Sequence, residues 1–272
     1  MKHALEVCGL KKSYGSRRVL KGLDFQVRPG EIFALLGANG AGKTTALECI
    51  EGLRSYDAGH ITRHGSTGVQ LQSSSLPDHI RPMEAVRLFA AWNRTSPSPS
   101  ILEALGIPAL GKKQYRHLST GQKRRLHLAL ALTGDPDILF LDEPTAGLDV
   151  EGRANLHELI RRLKRGGKTI LLASHDMNEV EALCDRMAIL KDGILAFTGT
   201  AADLSEKLGR RYNISIRTSA GTEQLETSDI LETLTAVLER CRKTGTVISD
   251  LHVDRGSLEQ HFMQIAKEET NS

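Results

Sequence analysis

Residues 37–45 combine the residue types that bind phosphate groups with the spacing that such binding requires. The stretch fits the pattern of glycine, four spacers and Gly-Lys-Thr, and an apolar run at 32–36 precedes it. Glycines let backbone N–H groups converge on an anion, and a helix over 44–53 would aim its positive end there. Lys43 would contact β- and γ-phosphates, and Thr44 would ligate Mg²⁺. The predicted phosphate-binding residues are Gly37, Ala38, Asn39, Gly40, Ala41, Gly42, Lys43, Thr44 and Thr45.

Two acidic residues, Asp142 and Glu143, follow a second apolar run at 137–141. If this run forms a strand parallel to the one before the glycine-rich loop, Asp142 comes to lie beside Thr44, where Mg²⁺ needs oxygen ligands. Glu143 points in another direction and is a candidate to orient or deprotonate an attacking water molecule. Two acids at a strand end carry little weight alone, so the pair supports this chemistry only together with the loop.

Strands and helices alternate along the first 173 residues. This alternation predicts an α/β fold with a mostly parallel sheet covered on both faces. Residues 93–100 contain two prolines and three serines and are predicted to be an exposed loop. The predicted strands are 3–9, 18–27, 32–36, 57–62, 137–141 and 169–173, and the predicted helices are 44–53, 83–91, 119–133 and 152–165.

The pattern changes after about residue 211. Residues 212–217 alternate like a half-exposed strand, 228–243 and 257–267 have helical spacing, and 246–253 are strand-like. We therefore predict a small α+β appendage over 212–272, without visible chemistry of its own.

Composition limits the possible functions. The net charge of the 272-residue chain is only +3, so no nucleic-acid partner is expected. No stretch reaches the roughly 18 apolar residues of a membrane span, and the N-terminus lacks the apolar core of a signal peptide. The four scattered cysteines form no Cys-x-x-Cys pair, which favours reduced thiols in a cytosolic chain.

The segment Leu118-Ser119-Thr120-Gly121-Gln122 resembles the signature of the ATP-binding-cassette (ABC) family, which usually reads Leu-Ser-Gly-Gly-Gln. With the loop and the acidic pair in the family's order, the resemblance spans about residues 3–210. It implies an ATP-hydrolysing P-loop NTPase cassette that uses Mg²⁺, over residues 1–211. Besides the mostly parallel sheet, an antiparallel β-subdomain and a helical subdomain at about 73–134 are expected.

The resemblance also implies roles for individual residues. Tyr14 matches the aromatic residue that stacks on adenine, and His175 matches the switch histidine that clamps the γ-phosphate and water. Gln72 matches the Q-loop glutamine that senses Mg²⁺, although Gln70 lies two residues away on the same predicted strand face. The implied catalytic residues are Glu143, His175 and Gln72; the magnesium ligands are Thr44, Gln72 and Asp142; the D-loop residue is Asp149; and the signature residues acting on the opposite subunit are Ser119, Thr120, Gly121 and Gln122.

The sequence departs from the family's pattern in several places. Ala38 stands where proline is common, and Thr120 replaces the first glycine of the signature pair, where a side chain could crowd ATP. The stretch between Ile61 and Gly68 is short, so a trimmed β-subdomain is expected. Residues 92–118 are also compact, which predicts a small helical subdomain.

We therefore expect the ATPase subunit of a membrane transporter, bound to separately encoded transmembrane permease subunits at the inner, cytoplasmic face of the cell membrane. A second ATPase subunit, identical or related, would complete each site. The segment 256–262 resembles the end of ATPases that serve exporters, so export is favoured over import. The alternatives are a soluble ABC-type ATPase acting on ribosomes or DNA, and a regulatory nucleotide-binding subunit.

Overall fold

A six-stranded sheet forms the centre of the first 199 residues in this computed structural model. In spatial order the strands are β5 (Thr67–Gln70), β6 (Ile138–Asp142), β7 (Thr169–Ser174), β3 (Ile32–Leu36), β8 (Arg186–Lys191) and β9 (Ile194–Gly199). The pairs β5/β6, β6/β7, β7/β3 and β3/β8 are parallel. Every residue of β3, β6 and β7 is buried, as expected for parallel strands covered on both faces.

The structure describes residues 3–70, 76–207, 212–219 and 221–255. The chain divides into two compact units, residues 1–198 and 199–272. The sequence-based boundary at 211 falls after helix α8 (Ala201–Lys207), which belongs to the second unit.

A three-stranded antiparallel sheet accompanies the central sheet, with strand order β2 (Arg17–Val27), β1 (Leu5–Tyr14) and β4 (Ala58–Arg63). Its buried residues form one hydrophobic cluster with those of helix α1 (Lys43–Glu51) and of the central strands. The rings of Phe25 and Phe33 join the two sheets, stacked with centroids 5.4 Å apart. The phosphate-loop helix is therefore anchored on both sides by apolar packing.

Besides α1, the described residues of the first unit contain six α-helices. They are α2 (Pro82–Asn93), α3 (Pro99–Ala104), α4 (Ile107–Leu110), α5 (Thr120–Ala131), α6 (Val150–Arg165) and α7 (Met177–Leu183). The predicted loop over 93–100 is wrong at its end, because Ser98 and Pro99 start α3 with proline in the first turn. Between residues 177 and 211 no helix or strand was predicted from the sequence, whereas the structure has α7, β8, β9 and α8 there. In the described part of the chain, no helix is both long and apolar enough to cross a membrane.

The second unit contains an antiparallel sheet in the order β11 (Gly221–Thr227), β10 (Tyr212–Thr218) and β12 (Ile248–Arg255). Helix α9 (Ile230–Thr244) packs Val237 and Cys241 onto Ile214 and Ile216 of β10. Strand β11 was not expected from the sequence because most of its residues are polar. The predicted helix over 257–267 lies outside the described residues.

Candidate active site

The phosphate loop connects the buried end of β3 to α1 and closes around the side chain of Lys43. The Nζ atom of Lys43 donates to the carbonyl oxygens of Gly37 at 2.7 Å and Ala38 at 3.2 Å. The lysine is 5% exposed, whereas Ala38, Asn39 and Thr44 are exposed. The cation therefore lies inside the loop, and the outer side of the loop remains open to a ligand.

Two glycines in this loop occupy positions where a side chain would not fit. A Cβ atom at Gly37 would lie 2.5 Å from the carbonyl oxygen of Leu190. Gly42, which begins α1, has φ 107°, a conformation that L-residues rarely adopt. The glycine pattern in the sequence thus reflects a close approach to β8 at one end of the loop and a left-handed turn at the other.

Burial and the two acidic residues at the end of β6 have opposite effects on the pKa of Lys43. Burial lowers the pKa of Lys43, while the negative charges of Glu143 and Asp142 act in the opposite direction. The three charged groups are therefore within electrostatic range of one another, as the sequence argument required.

Asp142, at the end of β6, is 3% exposed and lies against α1. Burial raises the pKa of Asp142, while a hydrogen bond from the Thr44 side chain lowers it. Its Oδ1 atom is buried without a hydrogen-bond partner in the described structure. A hydroxyl and an unpartnered carboxylate oxygen, side by side, form a donor set that fits Mg²⁺.

Glu143 and His175 form a pair at the ends of the neighbouring strands β6 and β7. The Nδ1 atom of His175 lies 2.9 Å from Oε1 of Glu143. The backbone of Glu143 has φ 47°, and its N–H donates to the carbonyl oxygen of Ala173 at 3.0 Å. Because the Glu143 side chain is 12% exposed and the His175 ring 53%, the carboxylate is shielded while the ring faces outward. Such an arrangement suits a base with an orienting partner.

The segments that follow these two residues are fixed by helix caps. Asp176 begins α7 and accepts hydrogen bonds from the N–H groups of Asn178 and Glu179. Asp149, the predicted D-loop residue, begins α6 and accepts from the N–H of Gly152 at 2.8 Å. Caps of this kind position the first turn of each helix.

The signature segment is the capped start of α5. Gln122 N–H donates to the Ser119 hydroxyl at 3.3 Å, and Ser119 N–H donates to the Gln122 side chain at 3.1 Å, which is a capping box. The Thr120 methyl lies against the D-loop, 3.1 Å from where a Cβ at Gly147 would be. An open cavity of about 530 Å³ is lined by the signature residues Ser119, Thr120, Gly121 and Gln122 and by D-loop and α6 residues.

Tyr14 lies at the end of β1 and is 42% exposed. The Lys12 ammonium and the Arg54 guanidinium lie 5.5 Å and 5.4 Å from its ring centroid. These distances are within the range of cation–π attraction, so the ring is held in place by two cations. Its stacking on adenine stays a prediction.

Of the two glutamines in the Q-loop region, Gln70 lies within the described residues and Gln72 does not. Gln72 lies outside the described residues, so its predicted role stays a prediction. Gln70 ends β5 and is 2% exposed, and its Oε1 atom has no hydrogen-bond partner in the described structure.

Three further polar residues near the site were not assigned roles from the sequence. Arg124 of α5 donates to the carbonyl oxygen of Asp142 at 3.5 Å. Glu51 on α1 is buried with both carboxylate oxygens unpartnered within the described chain. Glu179 on α7 is buried beside Ser174. No sequence signal separates these residues from the many other charged residues on the same helices.

Fold and site together define a P-loop ATPase: a strand, a glycine loop and a helix, with an acidic pair and a histidine from adjacent parallel strands. Residues 20–146 match the profile of the family described as ABC transporter. The chain belongs to the ATP-binding subunits of this family, so the predicted fold class, family and ATPase activity are confirmed.

Individual relatives support this membership. The chain is 40% identical to Nod factor export ATP-binding protein I of Paraburkholderia xenovorans (strain LB400), over 70% of this chain and 68% of that protein. It is 30% identical to daunorubicin resistance ATP-binding protein DrrA3 of Streptomyces coeruleorubidus, over 96% and 95% of the two chains. A solved structure of the ATP-binding subunit of an ABC transporter superposes with TM-score 0.69 at 28% identity, covering 75% of this chain and 93% of that one.

Proposed function

We propose that this ATPase hydrolyses ATP at the carboxyl ends of β3, β6 and β7, with Glu143 and His175 as catalytic residues. The observation that carries the proposal is the 2.9 Å pair of Glu143 and His175, which follow the neighbouring strands β6 and β7; β7 in turn pairs with β3, the strand before the phosphate loop. Residues 37–45 would bind the phosphates, and Tyr14 would stack on adenine. Glu143 would take a proton from the attacking water, and His175 would contact the γ-phosphate.

We further propose that Thr44 and Asp142 hold Mg²⁺, with Gln72 as the expected third ligand. The unpartnered Oδ1 atom of Asp142 supports this role, because a buried carboxylate oxygen without a donor is stabilised by a cation. Mg²⁺ held by these residues would neutralise charge on the phosphate groups. Thr44 is exposed at the start of α1, and its side chain hydrogen-bonds to Asp142, so the two proposed ligands lie together.

Two subunits would form each complete site in this proposal. The start of α5 presents Ser119, Thr120 and Gly121 toward an open cavity, where backbone N–H groups and the helix dipole favour an anion. A second copy, or a related subunit, would place its ATP γ-phosphate there. ATP would then join two subunits, and hydrolysis would release them.

We propose that the released energy drives export through separately encoded permease subunits, at the inner face of the membrane. The names of the relatives support export, since they refer to Nod factor export and to linearmycin and daunorubicin resistance. The permease would set the transported substrate. Co-purification of a membrane protein from a detergent extract tests this assembly, and co-purification of ribosomes instead would contradict it.

Glu143→Gln tests the catalytic assignment. We expect turnover to fall by about 10²- to 10³-fold, because the amide cannot accept the proton. ATP affinity should change by less than about twofold, and an ATP-dependent dimer should accumulate in size-exclusion chromatography, since binding survives while release is blocked.

Glu103→Gln is the matched control, because it makes the same change at an exposed position on α3. Undiminished hydrolysis by Glu143→Gln would contradict the assignment of the base. A turnover number that stays constant on extreme dilution would contradict the shared site.

A further inference from the structure

The carboxylate of Glu179 is buried where the segment that carries His175 meets the D-loop (residues 145–149). The residue is 1% exposed on α7, and its Oε2 atom accepts a hydrogen bond from the Ser174 hydroxyl at 2.6 Å. Burial raises the pKa of the Glu179 carboxyl, while hydrogen bonds from the hydroxyls of Ser174 and Thr145 act in the opposite direction. Ser174 precedes His175 in the chain, and Thr145 lies two residues after Glu143. Glu179 therefore joins the neighbours of both catalytic residues.

The direction of these hydrogen bonds explains why an acceptor is needed. The Ser174 hydroxyl accepts from the N–H of Asp176 at 3.0 Å, which leaves its own proton for Glu179. A carboxylate accepts without donating, so both hydroxyls can donate to it at once. Methionine, a side chain of similar length, would remove the carboxylate that accepts from both hydroxyls.

Burial of the carboxylate is only partly compensated. Its Oε1 atom has no hydrogen-bond partner in the described structure, and neither does the Nε2 atom of His157, which lies 3.9 Å away. Burial lowers the pKa of His157, which favours the neutral ring. A buried charge with so few hydrogen bonds opposes stability. A stabilising effect therefore does not explain why a carboxylate occupies this position.

We propose that Glu179 is a positioning residue for ATP hydrolysis, which holds the segment carrying His175 and the segment following Glu143 in the register that keeps these two side chains paired. The Glu143–His175 pair is then held from two sides. On one side the Glu143 N–H donates to the Ala173 carbonyl, and on the other Glu179 bridges Thr145 and Ser174.

The same bridge extends to the signature. Beyond Thr145 the D-loop packs on α5, where a Cβ at Gly121 would lie 3.1 Å from the Leu148 side chain. Displacement of Thr145 would therefore also disturb the start of α5. The inference rests on the proposed catalytic roles of Glu143 and His175.

Glu179→Met in the full-length chain tests the proposal, with Glu181→Met as the matched control at an exposed position of the same helix. Steady-state ATPase kinetics, equilibrium ATP binding and the melting temperature should be measured for both. We expect kcat of Glu179→Met to fall roughly ten- to a hundredfold, because misplacement of catalytic groups reduces rate strongly. KM and ATP affinity should stay within about twofold, since the phosphate loop is untouched. Glu181→Met should match the parent chain.

Ser174→Ala supplies a second test that does not alter the buried charge. If Glu179 acts through Ser174, the variant that combines Ser174→Ala with Glu179→Met should lose no more activity than the more damaged single variant. Wild-type kcat in Glu179→Met, equal losses in kcat and ATP affinity, or fully additive losses would each overturn the proposal. Wild-type turnover by Glu143→Gln would instead show that the catalytic assignment itself fails.

Discussion

The phosphate-loop half of the site and the signature half differ in how their polar groups are hydrogen-bonded. In the first, Asp142 and Glu51 are buried with oxygen atoms that lack partners among the described residues. In the second, Ser119 and Gln122 satisfy each other in a capping box at the exposed start of α5. The first half therefore contains buried acidic groups without hydrogen-bond partners, whereas in the second half the side chains satisfy each other and the N–H groups at the start of α5 face outward. Only in the first half do we expect a substitution to lower activity while leaving the free energy of unfolding unchanged or higher.

Asp142→Asn should show the largest effect. Loss of the anionic ligand should reduce Mg²⁺-dependent turnover by about 10³-fold, in line with several kcal/mol of charge stabilisation by a metal. The free energy of unfolding, measured by urea without nucleotide or metal, should be unchanged or higher, because an unpartnered buried charge is removed.

Asp137→Asn is the matched control at the other end of the same strand. Asp137 accepts from the Ser66 N–H and hydroxyl at 2.8 Å each, and these bonds lower the pKa of Asp137. We expect this variant to lose stability and keep its turnover. If Asp142→Asn is destabilised more than Asp137→Asn, the contrast between the two halves is wrong.

Glu51→Gln should change how stability depends on pH. Burial, together with the charges of Asp142 and Glu48, raises the pKa of Glu51 to about 8 from its usual value of 4.5. Between these values the folded protein keeps a proton that the unfolded chain has released, so stability falls as pH rises toward 8. The parent chain should lose on the order of 2 kcal/mol between pH 6 and 8 in urea unfolding, and Glu51→Gln should lose less.

Glu48→Gln controls for the removal of a carboxylate from α1. This variant should weaken the pH dependence of the parent chain only slightly, because the charge of Glu48 is the smallest of the three causes that raise the pKa of Glu51. Equal pH dependence in the parent and Glu51→Gln would show that Glu51 is not the titrating group.

Ser119→Ala should have the smallest effect, because the signature half is not built around a buried charge. Loss of the cap should cost about 1 kcal/mol in unfolding free energy. Turnover should fall roughly tenfold, since the N–H groups of Thr120 and Gly121 would still face the phosphate. ATP binding to the isolated subunit should be unchanged, as measured by equilibrium titration.

Asp229→Ala is the matched cap removal in the second unit, where Asp229 accepts from the N–H of Glu232 at 3.0 Å. It should lower stability to a similar extent without any change in turnover. A parallel loss of activity would mean that weakened stability, and not the signature, explains the result for Ser119→Ala.

Residues that act within one short segment were predictable. The phosphate loop is contiguous, so its glycines, Lys43 and Thr44 follow from spacing alone. The buried strands β3, β6 and β7 follow from apolar runs. Strand β11 was missed because its residues are mostly polar, and β8 and β9 because short runs do not distinguish strands from other buried segments.

The roles of Glu51, Glu179 and Arg124 depend on burial and on neighbours distant in sequence. Glu179 and Glu181 are two acids on one short helix, and only packing makes the first 1% exposed and leaves the second at the surface. The partner of each charge is likewise set by strand order, which brings residue 142 next to residue 173. No local pattern carries that information.

The linear order of residues specified the chemistry: a loop that binds phosphate, acids that follow a buried strand, and a serine that begins a helix. Those properties need only neighbours within a few positions, where backbone geometry is decided. Which polar atoms are withdrawn from water, and which remain without partners, was decided by how β3, β6 and β7 lie side by side under α1 and α7. Desolvation depends on everything that packs around a group, so the unpartnered oxygen of Asp142 and the bridging role proposed for Glu179 emerge only in three dimensions.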